Sequence, residues 1–125
     1  MKRVLVVDDD EVQLSHLKKA LEENNYEVVI ASHGREAKRI FQENPADLLI
    51  TDIFMPEMDG YELIREIRIS FPKAKIIAIS DESLFAGMSL TDTLNTAETL
   101  GADASIQKPI ELSHLYAVIE ELLIH

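Results

Sequence analysis

The chain of 125 residues contains no cysteine and no long apolar run, and it is poor in basic residues. Without cysteine it forms no disulfides and offers no thiolate metal ligands, which fits a reducing cytoplasm. No apolar stretch approaches the roughly 18 residues that indicate a membrane-spanning helix. The 12 Lys and Arg stand against 23 Asp and Glu, and the net charge of −11 disfavours electrostatic binding of nucleic acid. We therefore expect a cytoplasmic protein that contacts neither membrane nor nucleic acid directly.

Short apolar runs alternate with segments of helical periodicity along the whole chain. The runs 4–7, 28–31, 48–51 and 76–79 and the weaker 104–107 are predicted strands, and apolar residues recur at helical spacing between them. A fourth helix is predicted at Thr91–Leu100 and a last one from Leu112. This alternation indicates an α/β domain with a doubly wound, five-stranded parallel sheet and helices on both faces. No linker or repeat is present, so residues 1–125 are predicted to form one domain with no output domain.

Aspartates stand where two of the predicted strands end. Asp8 and Asp9 follow the first strand, with Asp10 next, and Asp52 follows the third. Strands 1 and 3 are neighbours at the switch point of a doubly wound sheet, so these carboxylates are expected to converge. Like charges at such distances repel unless a cation intervenes, and oxygen ligands suit Mg²⁺. The alternative is a solvated acidic loop with a helix cap, the role that we assign to Asp10.

Two other residues that follow predicted strands offer groups suited to a phosphoryl ligand. Ser80 follows the fourth strand, and its hydroxyl can hydrogen-bond a phosphoryl oxygen at the same sheet edge. Lys108 follows the fifth strand, precedes Pro109 and can pair with Asp52. The alternatives are a turn or cap residue for Ser80 and a solvated side chain for Lys108.

Spaced motifs in this order resemble the receiver domains of two-component response regulators, over the whole length of the chain. They are the stretches 4–10, 52–60, 79–80, 101–103 and 108–110. The resemblance implies a flavodoxin-like fold with strand order 2-1-3-4-5. It also implies a set of site residues: Asp52 as phosphoacceptor; Asp8, Asp9, Asp52 and the backbone carbonyl of Phe54 as ligands of Mg²⁺; Ser80 as switch hydroxyl; and Lys108, before a cis peptide bond to Pro109, as the phosphoryl contact.

The resemblance also implies what the domain works with. The phosphoryl donor would be a histidine kinase or a phosphotransfer protein, and the chain would assist its own phosphoryl transfer and hydrolysis without being an enzyme. The output would be read from the face made by the fourth helix, the fifth strand and the last helix. Similar domains often form homodimers through that face.

The chain departs from the family pattern at three places. Ser105 stands where similar domains usually carry an aromatic residue that moves with the switch hydroxyl. Asp81 follows Ser80 where a small residue is usual, and we hypothesise that its charge slows phosphorylation. The connection from Ser80 to Thr91 is unusually long and carries the apolar residues Phe85, Met88 and Leu90. It is either a tolerated surface insertion or a segment that packs near the active site or forms a partner surface.

Phe54 lies two residues after the predicted phosphoacceptor. A bulky apolar side chain there is hypothesised to shield an acyl phosphate from water, and the alternative is a partly exposed loop aromatic. The four histidines show no shared spacing and are assigned to the surface, with no phosphodonor role: His16, His33, His114 and His125.

The sequence leaves two alternative functions open. Residues 4–12 also fit the haloacid-dehalogenase phosphatase pattern of four apolar residues followed by D-x-D-x-T/V, with Asp8 as nucleophile. That reading requires an acidic pair at a later strand end, and none follows Ile76–Ile79. The second alternative is a receiver that acts as an interaction module without phosphorylation.

Overall fold

The computed structural model describes residues 1–55, 58–80, 97–98 and 100–124. Within them five parallel strands form one sheet in the order β2-β1-β3-β4-β5. The strands are β1 (Arg3–Val7), β2 (Glu27–Ala31), β3 (Leu48–Asp52), β4 (Lys75–Ser80) and β5 (Ala104–Gln107). The predicted doubly wound sheet and its strand order are confirmed.

The helices of the described residues cover both faces of this sheet. They are α1 (Glu11–Glu23), α2 (Gly34–Glu43), α3 (Gly60–Ser70) and α4 (Leu112–Ile124). Residues 97, 98 and 100 are also helical and belong to the predicted helix Thr91–Leu100, the rest of which lies outside the described residues. The predictions for Asp81, Phe85, Met88 and Leu90 lie outside them as well.

None of the helices in the described part of the chain has the length and the apolar character that crossing a membrane requires.

The core consists of two apolar clusters, one on each face of the sheet. On one face, α2 and α3 pack with Phe41, Leu63 and Ile67 against the strands. On the other, α1 and α4 pack with Leu17 and Ile119. Burying each such side chain is worth about 1.5–3 kcal/mol. Because both faces are covered, the strands are almost continuously apolar up to their carboxyl ends, where the polar residues begin.

Side-chain caps fix where the helices begin. Asp10 accepts hydrogen bonds from the amides of Val12 and Gln13 at the start of α1, which confirms its predicted role. At the start of α2, Nδ1 of His33 accepts the amide of Glu36 at 3.2 Å. This role of His33 was not predicted from the sequence, since histidine is not among the preferred capping residues.

Candidate functional site

The carboxyl ends of β1 and β3 bring three aspartates together. Val7 pairs with Thr51 in the sheet, so Asp8 and Asp52 lie side by side, with Asp9 next to them. One carboxylate oxygen of each lies within 4.8 Å of the others. Asp8 and Asp52 are each only 3% exposed, whereas Asp9 is exposed. The predicted convergence of the three carboxylates is confirmed.

Lys108 is the cation of this cluster. Its Nζ lies 3.1 Å from Oδ2 of Asp52 and 3.2 Å from Oδ2 of Asp8. The amide of Lys108 donates to the carbonyl of Ser80 at 2.8 Å, which fixes the start of the side chain at the end of β4. The Lys108–Pro109 peptide bond is cis, as expected. The ion pair with Asp52 was predicted, and the second one with Asp8 was not.

Burial controls the protonation of this cluster. Burial raises the pKa of Asp8 to about 6; the amide of Asp10 and the charge of Lys108 act against this, and the charge of Asp52 adds to it. Burial likewise raises the pKa of Asp52, despite the opposing charge of Lys108. Burial alone lowers the pKa of Lys108, but the charges and hydrogen bonds of the two aspartates outweigh it and raise that pKa.

The Lys108 ammonium therefore contacts two buried carboxylates, and the exposed carboxylate of Asp9 lies beside them. Burial is the main cause of the raised pKa values of Asp8 and Asp52, and the charge of a neighbouring carboxylate adds to each. Such a donor set of hard oxygens fits a small divalent cation.

The backbone around Asp52 is held from several sides. The amide of Phe54 donates to Oδ1 of Asp52 at 3.2 Å, and the Thr51 hydroxyl donates to the Asp52 carbonyl at 2.9 Å. Gly60 lies directly against the carbonyl of Asp52, and a Cβ there would collide with that backbone. Its amide donates to the carbonyl of Ile53 at 2.6 Å. The predicted turn at Asp59-Gly60 thus allows α3 to begin directly against the backbone of Asp52.

Ser80 is the last residue of β4 and lies opposite Gln107 of β5. It is 1% exposed, and its Oγ has no hydrogen-bond partner among the described residues. A buried hydroxyl without a partner costs about 1–3 kcal/mol. The hydroxyl is therefore free to bond an oxygen that a ligand brings to this edge of the sheet.

Two aromatic rings meet close to Asp52 in the sequence, one two residues after it and one at the start of α3. The centroids of Phe54 and Tyr61 are 6.0 Å apart and their planes are inclined at 87°, so the contact is edge-on. Both residues are half-buried. A role at the site was predicted for Phe54 but not for Tyr61. Two aromatic residues seven positions apart across a loop follow neither helical nor strand periodicity, so their contact could not be predicted from the sequence.

Ser105 lies in β5 and pairs with Ala78 of β4. It is half-buried. A small hydroxyl side chain therefore occupies the position at which similar domains usually carry an aromatic ring.

A comparison with known proteins identifies the class of protein to which this fold and this acidic site belong. Residues 4–120 match the family model of the response regulator receiver domain. Over 125 residues the chain is 40% identical to the response regulator receiver protein CpdR of Brucella abortus, covering 99% of this chain and 98% of that protein. The chain belongs to the response regulator receiver domain family, whose members act in two-component signalling with histidine kinases or phosphotransfer proteins.

Further relatives agree. The transcriptional regulatory protein PrrA of Mycobacterium tuberculosis is 36% identical over 121 residues, 97% of this chain; the chain spans about half (49%) of that relative's length. A receiver domain protein of known structure from Clostridium thermocellum superposes with a TM-score of 0.89 at 30% identity, covering 99% of this chain and 95% of that one. Membership of this family supports a receiver domain and speaks against the phosphatase alternative.

Proposed function

We propose that this chain is a phosphorylation-dependent signalling switch in which Asp52 accepts a phosphoryl group from a histidine kinase or a phosphotransfer protein. The observation that carries this is the arrangement of charges around Asp52. Its buried carboxylate lies 3.1 Å from the Lys108 ammonium, within a cluster that Asp8 and Asp9 complete. The family to which the chain belongs supports the same role.

In the proposed transfer, a carboxylate oxygen of Asp52 attacks the phosphorus in line. A new P–O bond forms as the P–N bond to the donor histidine breaks, and the electron pair of that bond stays on the imidazole. The Phe54 amide orients the carboxylate through Oδ1, and Lys108 offsets negative charge on the transferred group. Burial strengthens both effects, since water screens them little.

Asp8, Asp9, Asp52 and the backbone carbonyl of Phe54 would hold Mg²⁺. The excess of negative charge and the hard oxygen donors fit this ion, which retains several waters in such sites. When bound, Mg²⁺ supplies charge neutralisation for the phosphoryl oxygens. The amide of Asp10, 2.9 Å from Oδ1 of Asp8, keeps that carboxylate turned toward the site.

Ser80 would convert phosphorylation into a change of shape. Its buried hydroxyl, unpartnered among the described residues, gains an acceptor when a phosphoryl group is attached to Asp52. The output face would comprise β5, α4 and the predicted helix Thr91–Leu100, and it would bind the output protein. In similar domains an aromatic residue usually moves together with the switch hydroxyl. Ser105 stands at that position here, so the movement of Ser80 would be transmitted without an aromatic ring.

Labelling with a small acyl-phosphate donor and Mg²⁺ tests the proposal. We expect intact-protein mass spectrometry to show one added phosphoryl group, peptide mapping to place it on Asp52, and Asp52→Asn to abolish it. The matched control is Asp47→Asn, which removes an exposed aspartate remote from the site. Phosphate on Asp8 would support the phosphatase alternative. A folded protein that takes up no label would support the unphosphorylated interaction module.

A further inference from the structure

The edge-on rings of Phe54 and Tyr61 stand beside Asp52, and the proposed transfer step uses the backbone of Phe54 but neither ring. We propose that Tyr61 is a positioning residue that holds the Phe54 ring at the rim of the acceptor site and thereby sets the lifetime of the acyl phosphate on Asp52. This inference rests on the proposed function and adds a determinant of how long the signal persists.

The place of Phe54 follows from its backbone. Its amide donates to Oδ1 of Asp52 at 3.2 Å, so the Cα that carries the ring lies next to the reactive carboxylate. The residue is half-buried, which puts the ring at the boundary between the apolar core and solvent. A ring at this boundary either covers the approach to the carboxylate or swings away from it, depending on its rotamer.

The place of Tyr61 is fixed by the start of α3. Asp59 caps this helix by accepting the amide of Glu62, and Gly60 packs against the Asp52 carbonyl. Tyr61 is the next residue after Gly60, so the contact between Gly60 and the Asp52 carbonyl also fixes the backbone of Tyr61 relative to Asp52. Its ring meets Phe54 at a centroid distance of 6.0 Å and 87°, within the range that aromatic pairs prefer. Tyr61 therefore selects one orientation of the Phe54 ring.

The step under control is hydrolysis of the acyl phosphate. The oxygen of water bonds to phosphorus while the P–O bond to Asp52 breaks, and the electron pair of that bond stays on the regenerated carboxylate. Inorganic phosphate leaves as dihydrogen phosphate with both protons of the water. The reaction needs a water in line with the breaking bond, and an apolar ring held at the rim lowers the number of waters that reach this position.

The experiment follows the decay of the phosphorylated protein after the donor has been removed by desalting, with Mg²⁺ present and intact mass as readout. We expect Tyr61→Ala to shorten the half-life about two- to tenfold, the factor by which an aromatic pair biases an equilibrium. Tyr61→Phe keeps the ring and should keep the half-life. Tyr61→Leu, which retains apolar bulk if the alanine variant folds poorly, should decay faster than the parent protein.

A double-mutant cycle separates positioning from a direct effect of Tyr61. Phe54→Ala should shorten the half-life as Tyr61→Ala does, and the double variant should decay no faster than Phe54→Ala alone. The rate of phosphorylation and the affinity for Mg²⁺ should not change in Tyr61→Ala, whereas a general loosening of the site would change both.

A matched control is a second edge-on pair among the described residues, Phe41 and Phe71, whose centroids are 4.9 Å apart at the opposite end of the sheet. Phe71→Ala should lower stability and leave the half-life unchanged. If the parent protein takes up no phosphoryl group on Asp52, the proposed function itself fails. If it does and Tyr61→Ala decays at the parent rate, only the role of Tyr61 is overturned. Additive effects in the double variant would overturn positioning through Phe54.

Discussion

At the scale of single residues, Asp8 links the site to pH. Its pKa is raised by burial to about 6, above the ordinary value of 3.8, so the folded protein binds this proton more tightly than the unfolded chain does. The stability that the group contributes is complete below its unfolded pKa and is lost as the pH rises through about 6. Above that range the metal-free protein holds an unfavourable buried carboxylate.

We therefore expect Mg²⁺ to raise the melting temperature more at about pH 8 than at about pH 5, by roughly a factor of two, because protons compete for Asp8 at the lower pH. Thermal unfolding with and without Mg²⁺ at the two pH values measures this. In Asp8→Asn the difference should disappear, whereas in the exposed control Asp47→Asn it should persist. Equal Mg²⁺ effects at both pH values in the parent protein would contradict the prediction.

Ser80 carries a second prediction at this scale. Its hydroxyl is buried and, among the described residues, unpartnered, so removing the oxygen should not weaken the unphosphorylated fold. Ser80→Ala is expected to leave the free energy of unfolding unchanged or to raise it by up to about 1 kcal/mol. Urea unfolding gives this value. Thr51→Val is the comparison, because the Thr51 hydroxyl has a partner at 2.9 Å and its loss should destabilise the protein.

At the scale of secondary-structure elements, Arg68 joins α3 to the strands at the edge of the sheet opposite to the site. Its guanidinium donates to the carbonyls of Pro72, Ala74 and Gly101 at 2.6–3.1 Å and to Oδ2 of Asp103 at 2.7 Å. The same Asp103 oxygen accepts the amide of Ile76 at the start of β4. One planar side chain thus satisfies three backbone carbonyls from two connections, the one between α3 and β4 and the one before β5.

Arg68→Ala should lower the free energy of unfolding by about 2–4 kcal/mol, because several carbonyls and Asp103 lose their donor at once. Arg68→Lys should recover only part of this, since an ammonium cannot reproduce the fork of the guanidinium. Arg65→Ala, at an exposed position of the same helix, should change stability by less than about 0.5 kcal/mol. Denaturant unfolding compares the three, and similar losses for Arg65→Ala and Arg68→Ala would refute the role.

The ends of the strands are predicted less accurately than the strands themselves, because apolar patterns miss polar residues that belong to the sheet. The sequence placed the ends of strands where apolar residues stop, yet β3 includes Asp52 and β4 includes Lys75 and Ser80. Backbone hydrogen bonds continue the sheet regardless of side-chain polarity: Ile53 donates to the carbonyl of Ile79 at 2.9 Å. Polar residues at the site are thereby held in the sheet itself, which places them more rigidly than a loop does.

At the scale of the whole molecule, the sequence by itself determined the class of fold, the strand order through its family resemblance, and the convergence of Asp8, Asp9 and Asp52. These follow from information that is local in the chain, because apolar periodicity marks each element and every parallel strand delivers its next residues to the same edge. The pairing of Lys108 with Asp52 could be predicted for the same reason, because both residues stand at the carboxyl ends of parallel strands.

Only the tertiary structure decided which of these groups touch and which do not. Three features depend on rotamers and on distances of a few ångströms: the second ion pair of Lys108 with Asp8, the contact of Tyr61 with Phe54, and the Ser80 hydroxyl, which has no partner in the described part of the chain. The raised pKa of Asp8 depends on how completely water is excluded. Such quantities are set jointly by residues far apart in sequence, and no single segment of the chain encodes them.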